Sequence, residues 1–298
     1  MAHALEAFHL SKSFGTVRAV HDLSMHVDEG EVVGLIGANG AGKSVTVRML
    51  AGLMRPTSGN YAIFSNIMPR DDAGVRRKVA YLSQSLDFPE PLFVRDVLAM
   101  CEAVYPDWDK QFMDKLVSDF SLPLGRKARE LSVGMKLRLS LVCAFAQRAG
   151  VILLDEPAGS LDPVVRNEFL ENLAETLERH SPAVLFATHL MHSLERLVDR
   201  VVLLREGSLA YEEDMVNVAE SYRRVQVVFE DTVPRDFSLP SVISSETRGR
   251  TWTGVISDYS AESVARICSN ANATFEAWPI FLEDLFIALH QRPKGDRP

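Results

Sequence analysis

The sequence predicts an α/β fold on a mostly parallel sheet, with a helical insertion and a small α+β domain at the C-terminal end. Three stretches carry that prediction. "EVVGLIGANGAGKS" (31–44) is a short apolar run followed by a glycine-rich turn. "VILLDEP" (151–157) is a second apolar run, ending in two carboxylates. "AVLFAT" (183–188) is a third, ending at His189. Short apolar runs bounded by turns and separated by helical patterns are the mark of buried parallel strands, and ligands of such sheets gather at the strands' carboxyl ends.

Residues 1–84 alternate short strands with one helix. Residues 31–36 read as a buried strand. Gly37, Gly42, Lys43 and Ser44 then fit G-x-x-x-x-G-K-[ST], and the cradle runs through Asn39 and Gly40 to Val45. Glycines at this spacing let backbone N–H groups point inward at phosphate oxygens. Residues 43–53 read as a helix whose N-terminus adds partial positive charge. Lys43 is placed to reach the terminal phosphates, and the Ser44 hydroxyl to ligate Mg²⁺. At the end of the second strand Asp155 suits the same Mg²⁺, and Glu156 suits a general base that polarises the attacking water. His189 sits where it would contact the γ-phosphate.

Composition fits an ordinary globular chain. Hydrophobic residues make up 47% of the 298 and charged residues 24%. No apolar run reaches 18 residues, so no segment is expected to span a membrane. Glu6 interrupts the apolar stretch at the start, which argues against a secretory signal. Cys101, Cys143 and Cys268 lie far apart in sequence, and their odd number suggests a reducing compartment and no metal site. The net charge of −8 argues against wrapping nucleic acid. Residues 211–298 hold 14 acidic and 9 basic side chains, −5 of that total, which suggests two units.

The ordered set of motifs resembles the nucleotide-binding subunit of ABC transporters over residues 1 to about 212. The resemblance implies a P-loop NTPase core of the ABC ATPase type, with ATP and Mg²⁺ as cofactors. Residues 37–44 match its Walker A motif and 151–156 its Walker B. Phe14, in "SKSFG", falls where the family stacks an aromatic on adenine. Gln84, in "AYLSQS", matches a glutamine that touches Mg²⁺ and the membrane-domain contact. Asp162, in "GSLD", matches a residue that crosses to the other protomer. His189 matches the switch histidine. Residues 131–135, "LSVGM", align with the signature LSGGQ at Ser132 and Gly134. There a hydroxyl, a flexible backbone and a helix N-terminus face the γ-phosphate held by the other protomer. Val133 is β-branched and poorly suited to positive φ, so its side chain is expected to point away from nucleotide. The segment "VYPDWD" with "LSVGMK" is similar to a bacterial subgroup of ABC-2-type exporters. The resemblance thus implies Lys43, Gln84, Glu156 and His189 as the catalytic set, and Ser44, Gln84 and Asp155 as the metal set.

Residues 85–130 read as helical, and about 85–135 form the expected helical subdomain within an ABC ATP-binding domain at 1–212. Residues 213–298 form the expected accessory domain in the order β-β-α-β-α, with 231–250 as a loop rich in Ser, Pro and Thr. "PIFLEDLFIAL" puts Ile280, Leu282, Leu285, Phe286 and Leu289 on one broad face, expected as core or a dimer contact. The function implied is an ATP-hydrolysing exporter subunit, a homodimer or a heterodimer with a related ATPase. It would drive separate transmembrane permease subunits that export a peptide, antibiotic or lipid-like substrate. It would sit peripherally on the cytoplasmic face of the bacterial inner membrane, with no direct membrane insertion and no nucleic acid. The alternatives are a soluble ABC ATPase remodelling nucleic acid or ribosomes, and a regulatory nucleotide-binding module. One P-loop, no long heptads and no basic patch weigh against the first. Intact Glu156 and His189 weigh against the second.

Overall fold

The computed structural model describes residues 3–68, 73–83, 88–89, 91–157, 163–189 and 195–291. The chain forms two compact units, Met1–Glu212 and Glu213–Pro298.

In the first unit β1 (His3–Phe14) and β2 (Val17–Asp28) pair antiparallel. β3 (Val32–Ile36) runs through the glycine turn into α1 (Lys43–Leu50). β4 (Ser58–Ile63) and β5 (Asn66–Met68) form a second antiparallel pair, and α2 (Ala73–Arg76) leads to β6 (Val79–Leu82). Three helices follow: α3 (Val94–Val104), α4 (Lys110–Asp119) and α5 (Val133–Ala146). The chain then returns to α/β alternation with β7 (Val151–Asp155), α6 (Pro163–His180), β8 (Ala183–Ala187), β9 (Arg200–Arg205) and β10 (Ser208–Asp214).

These strands make two sheets. One is antiparallel, in the order β2-β1-β4-β5. The other runs β10-β9-β3-β8-β7-β6, and the five strands from β9 to β6 are parallel neighbours. β3, β7 and β8 are buried at every residue, as sheets covered on both faces require. Leu35, Leu153 and Leu185 share one core with Val47 and Leu50 of α1 and with Leu5, Leu10 and Tyr61 of the other sheet. Because β3, β7 and β8 run parallel, the residues after each strand collect at one edge. Those residues are Gly37, Glu156 and His189.

The expected helix 43–53 is shorter, ending at Leu50. Gly52 follows at φ +71°, a left-handed position that closes a helix and costs glycine little. The "YPDWD" segment is the corner between α3 and α4. Tyr105 caps the end of α3, and Asp109 caps α4 by accepting from the Phe112 N–H at 2.9 Å. Cys101 of α3 and Cys143 of α5, distant in sequence, bring their thiols into contact. The contact pulls Cys101 below the ordinary thiol range and, with burial, pushes Cys143 above it.

The second unit adds α7 (Met215–Ser221), β11 (Arg223–Phe229), β12 (Val242–Arg248), β13 (Thr251–Ile256), α8 (Ala261–Asn270), β14 (Ala273–Pro279) and α9 (Leu282–Gln291). Its sheet runs β12-β13-β11-β14, and Val225, Val227, Trp252 and Ile256 pack with Val264 and Cys268 of α8. The order is α-β-β-β-α-β-α, so the expected order lacked a strand and a helix. Residues 242–248 lie inside the stretch expected as a loop. "VISSETR" is an edge strand with mostly exposed side chains, held by its ladder to β13, so it carries no apolar alternation. Ile280, Leu282, Leu285 and Leu289 are buried, while Phe286 is half-buried and stacks on His290.

Candidate active site

Two glycines shape the phosphate loop by absence of a side chain. Gly42, at φ +100°, caps α1, and a Cβ there would lie 2.4 Å from the Ala19 carbonyl oxygen. A Cβ on Gly37 would lie 2.6 Å from the Leu204 carbonyl oxygen. The loop therefore approaches neighbouring backbone as no other residue could. It opens onto a cavity of about 540 Å³, lined by Asn39, Gly40, Gly42, Lys43, Ser44 and Val45 and, opposite them, by Glu156 and His189.

Lys43 is 5% exposed. Its ammonium donates to the carbonyls of Gly37 at 2.8 Å and Ala38 at 3.3 Å. It also lies 3.4 Å from Glu156 Oε1. The other Glu156 oxygen, Oε2, is 2.8 Å from His189 Nδ1 and accepts from the His189 backbone N–H at 3.3 Å. Lys43, Glu156 and His189 therefore form one connected chain along the cavity. The parallel register explains the second link. Asp155 of β7 pairs with Ala187 of β8, so the residues just beyond meet across the same edge. The Glu156 N–H donates to the Ala187 carbonyl at 2.9 Å, extending the ladder by one bond. Glu156 adopts φ +51°, a left-handed backbone that a non-glycine residue holds at a cost and that is common at functional sites.

Asp155 stands apart from this chain. It is 1% exposed and does not line the cavity. Its Oδ2 accepts from the Tyr81 hydroxyl at 3.2 Å and lies 3.5 Å from Arg48 Nε. Tyr81, by its hydrogen bond, and then the Asp155 charge hold the Arg48 guanidinium above its ordinary pKa. Asp155 Oδ1 is buried and has no hydrogen-bond partner among the described residues. A buried carboxylate oxygen without a proton donor suits a divalent cation. Arg48 and Tyr81 were missed at the level of sequence. Their signals were spacing alone: Arg48 lies four residues after Ser44 on α1, and Tyr81 is paired with Leu153, two residues before Asp155.

Phe14, Ser132 and Gly134 do not line the cavity. Phe14 ends β1, is 49% exposed, and has the Lys12 ammonium 5.2 Å from its ring centroid. Ser132 caps α5, its Oγ accepting from the Met135 N–H at 3.3 Å. That bond uses a lone pair and leaves the hydroxyl proton free to donate. Val133 is the first helical residue and is 62% exposed, with no positive φ required. Gly134 follows within the helix. Arg138 fixes α5 to α6 through two bonds to Glu168 Oε2, at 2.6 and 3.0 Å. Gln84 and Asp162 lie outside the described residues.

Residues 20–159 match the family model for the ABC transporter. The chain is 32% identical over 311 residues to the Nod factor export ATP-binding protein I of Paraburkholderia xenovorans (strain LB400), covering 98% of this chain and 99% of that protein. It is 26% identical over 284 residues to the ABC transporter ATP-binding protein YtrB of Bacillus subtilis (strain 168), covering 95% and 97%. Its fold resembles the dimeric structure of MJ0796, a bacterial ABC transporter cassette, with a TM-score of 0.64 and 22% identity over 71% of this chain and 98% of that one. With the phosphate loop, Glu156 and His189 on one cavity, and with the similarity to the Nod factor export protein over 98% of its length, the chain belongs to the ATP-binding, ATP-hydrolysing proteins of the ABC transporter family.

Proposed function

We propose that two copies of this chain, or one copy and a related ATPase, close on two ATP–Mg²⁺ and thereby drive separate membrane subunits in export. The observation that carries this reading is the division of the motif residues. Lys43, Ser44, Glu156 and His189 line one cavity, whereas Ser132 is exposed at a helix N-terminus that does not line it. A helix N-terminus with a free hydroxyl donor is suited to an anion, and the anion it suits is the γ-phosphate in a second chain's cavity. The dimeric state named for MJ0796 agrees with this reading.

Within each cavity Lys43 and the loop N–H groups hold phosphate oxygens. Ser44 and Asp155 are the residues that would hold Mg²⁺, which spreads the phosphate charge during hydrolysis. Glu156 takes a proton from water, and His189 orients its carboxylate through the 2.8 Å contact. Phe14 offers an exposed ring for adenine. Gln84 and Asp162 are assigned to the membrane-subunit contact and to the partner chain. Closure buries nucleotide between both chains, and hydrolysis reopens them, so the cycle does mechanical work.

Export is supported by the full-length similarity to a Nod factor export protein. The peripheral site of action is the cytoplasmic face of a bacterial inner membrane, and the cargo class is peptide, antibiotic or lipid-like. Light scattering tests the pairing. ATP with Mg²⁺ and slowed hydrolysis should convert monomer to dimer, and Ser132→Arg should prevent this while leaving ATP binding nearly intact. Dimerisation of Ser132→Arg as complete as that of the unaltered chain refutes the pairing.

A further inference from the structure

Three side chains of metal-ligand type share one face at the open end of the β1–β2 hairpin. The ladder pairs His3 with Asp28, with a register shift between His3 and Leu5. His26 and Asp28 are two residues apart on β2, so they project to the same face. His3 Nδ1 lies 2.5 Å from Asp28 Oδ1. The rings of His3 and His26 have centroids 4.3 Å apart and are tilted by 42°. One ligand atom from each of the three residues lies within 4.8 Å of the other two. All three side chains are partly exposed, so small rotations can bring the ligand atoms together and an ion can enter.

The surrounding charge favours a cation. Asp28 supplies a carboxylate beside the two imidazoles. Arg200 is a nearby cation, and its guanidinium is already engaged by Glu31, Glu212 and the His26 carbonyl. Asp28, Glu31 and Glu212 against Arg200 leave the cluster net negative.

We propose that His3, His26 and Asp28 bind a borderline divalent transition ion of the zinc class. Two imidazole nitrogens with one carboxylate suit zinc, cobalt or nickel, whereas Mg²⁺ and Ca²⁺ take oxygen ligands. Three protein ligands leave a coordination position for water. The ion would tie the first residue of β1 to the last of β2. The inference stands independently of the nucleotide reading, since none of its ligands lines the phosphate cavity.

The test uses the full chain with any affinity tag removed, titrated with Co²⁺ in the absence of nucleotide and Mg²⁺, with Zn²⁺ as competitor. The expected result is one equivalent of Co²⁺ with visible d–d bands, displaced by Zn²⁺. His26→Ala and Asp28→Asn should each weaken that binding by roughly tenfold or more. Zn²⁺ should raise the melting temperature of the unaltered chain and not that of His26→Ala. Lys43→Ala should bind Co²⁺ as the unaltered chain does. No saturable Co²⁺ or Zn²⁺ binding by the unaltered chain overturns the proposal. So does equally tight binding by folded His26→Ala and Asp28→Asn.

Discussion

Replacing Glu156 by Gln separates proton transfer from geometry. The carboxylate faces donors on both sides, with Lys43 Nζ 3.4 Å from Oε1 and the His189 N–H and Nδ1 around Oε2. An amide has only one acceptor oxygen. If that oxygen faces His189, the NH₂ group meets the Lys43 ammonium. If it faces Lys43, the NH₂ group meets the His189 backbone N–H. Either orientation sets one donor against another, losing the ion-pair contact with Lys43 in one case and the bond from the His189 N–H in the other, which costs about 1–3 kcal/mol of stability. The melting temperature should therefore fall by several degrees. The effect on turnover is larger, because an amide cannot accept the proton. General-base catalysis contributes roughly 10²–10⁴-fold, so turnover at saturating ATP should fall by that factor. ATP affinity should stay close to that of the unaltered chain, since Lys43 and the loop N–H groups remain. The assay is phosphate release at saturating ATP, with affinity from calorimetry. Turnover within tenfold of the unaltered chain would remove Glu156 from the role of base.

Two other substitutions have outcomes fixed by the same geometry. Lys43→Ala removes a charge-assisted phosphate contact of about 1.5–3 kcal/mol, which should raise the ATP dissociation constant by roughly 10- to 150-fold in calorimetry. Unchanged affinity would mean that residues 37–44 are a turn and nothing more. Arg200→Ala leaves the partly buried Glu31 without its bidentate partner. Losing charge-assisted hydrogen bonds at a partly buried site costs about 1.5–3 kcal/mol, so the denaturant midpoint should fall, and an unshifted midpoint would contradict that pairing.

The phosphate loop was legible in the sequence because backbone geometry dictates its glycines. Gly42 and Gly37 sit where any Cβ would strike a carbonyl, so their spacing carries structural information. Glu156 and His189 were legible as strand ends, since buried apolar runs announce parallel strands and the polar residue after each must face the ligand edge. Their contact was not legible, because it depends on β7 lying beside β8 with Asp155 opposite Ala187. The same reason hid Arg48 and Tyr81 around Asp155, and His3 beside His26 and Asp28. Each cluster needs a register that no local pattern encodes. β12 was hidden differently. Its side chains face solvent, and only its backbone ladder holds it. One signal was available: "RGRT" places Gly249 at the first position of a two-residue turn, with φ +60°, which is a hairpin mark.

Mixed dimers of Ser132→Arg and Lys43→Ala chains test the sharing of each nucleotide site between two chains most directly. In such a dimer one shared site pairs the intact phosphate loop of one chain with the intact Ser132 of the other. The second site carries both defects. ATPase activity lost in each variant alone should return in part when the two are mixed. No recovery, with mixed dimers demonstrated by two different tags, would contradict the shared site.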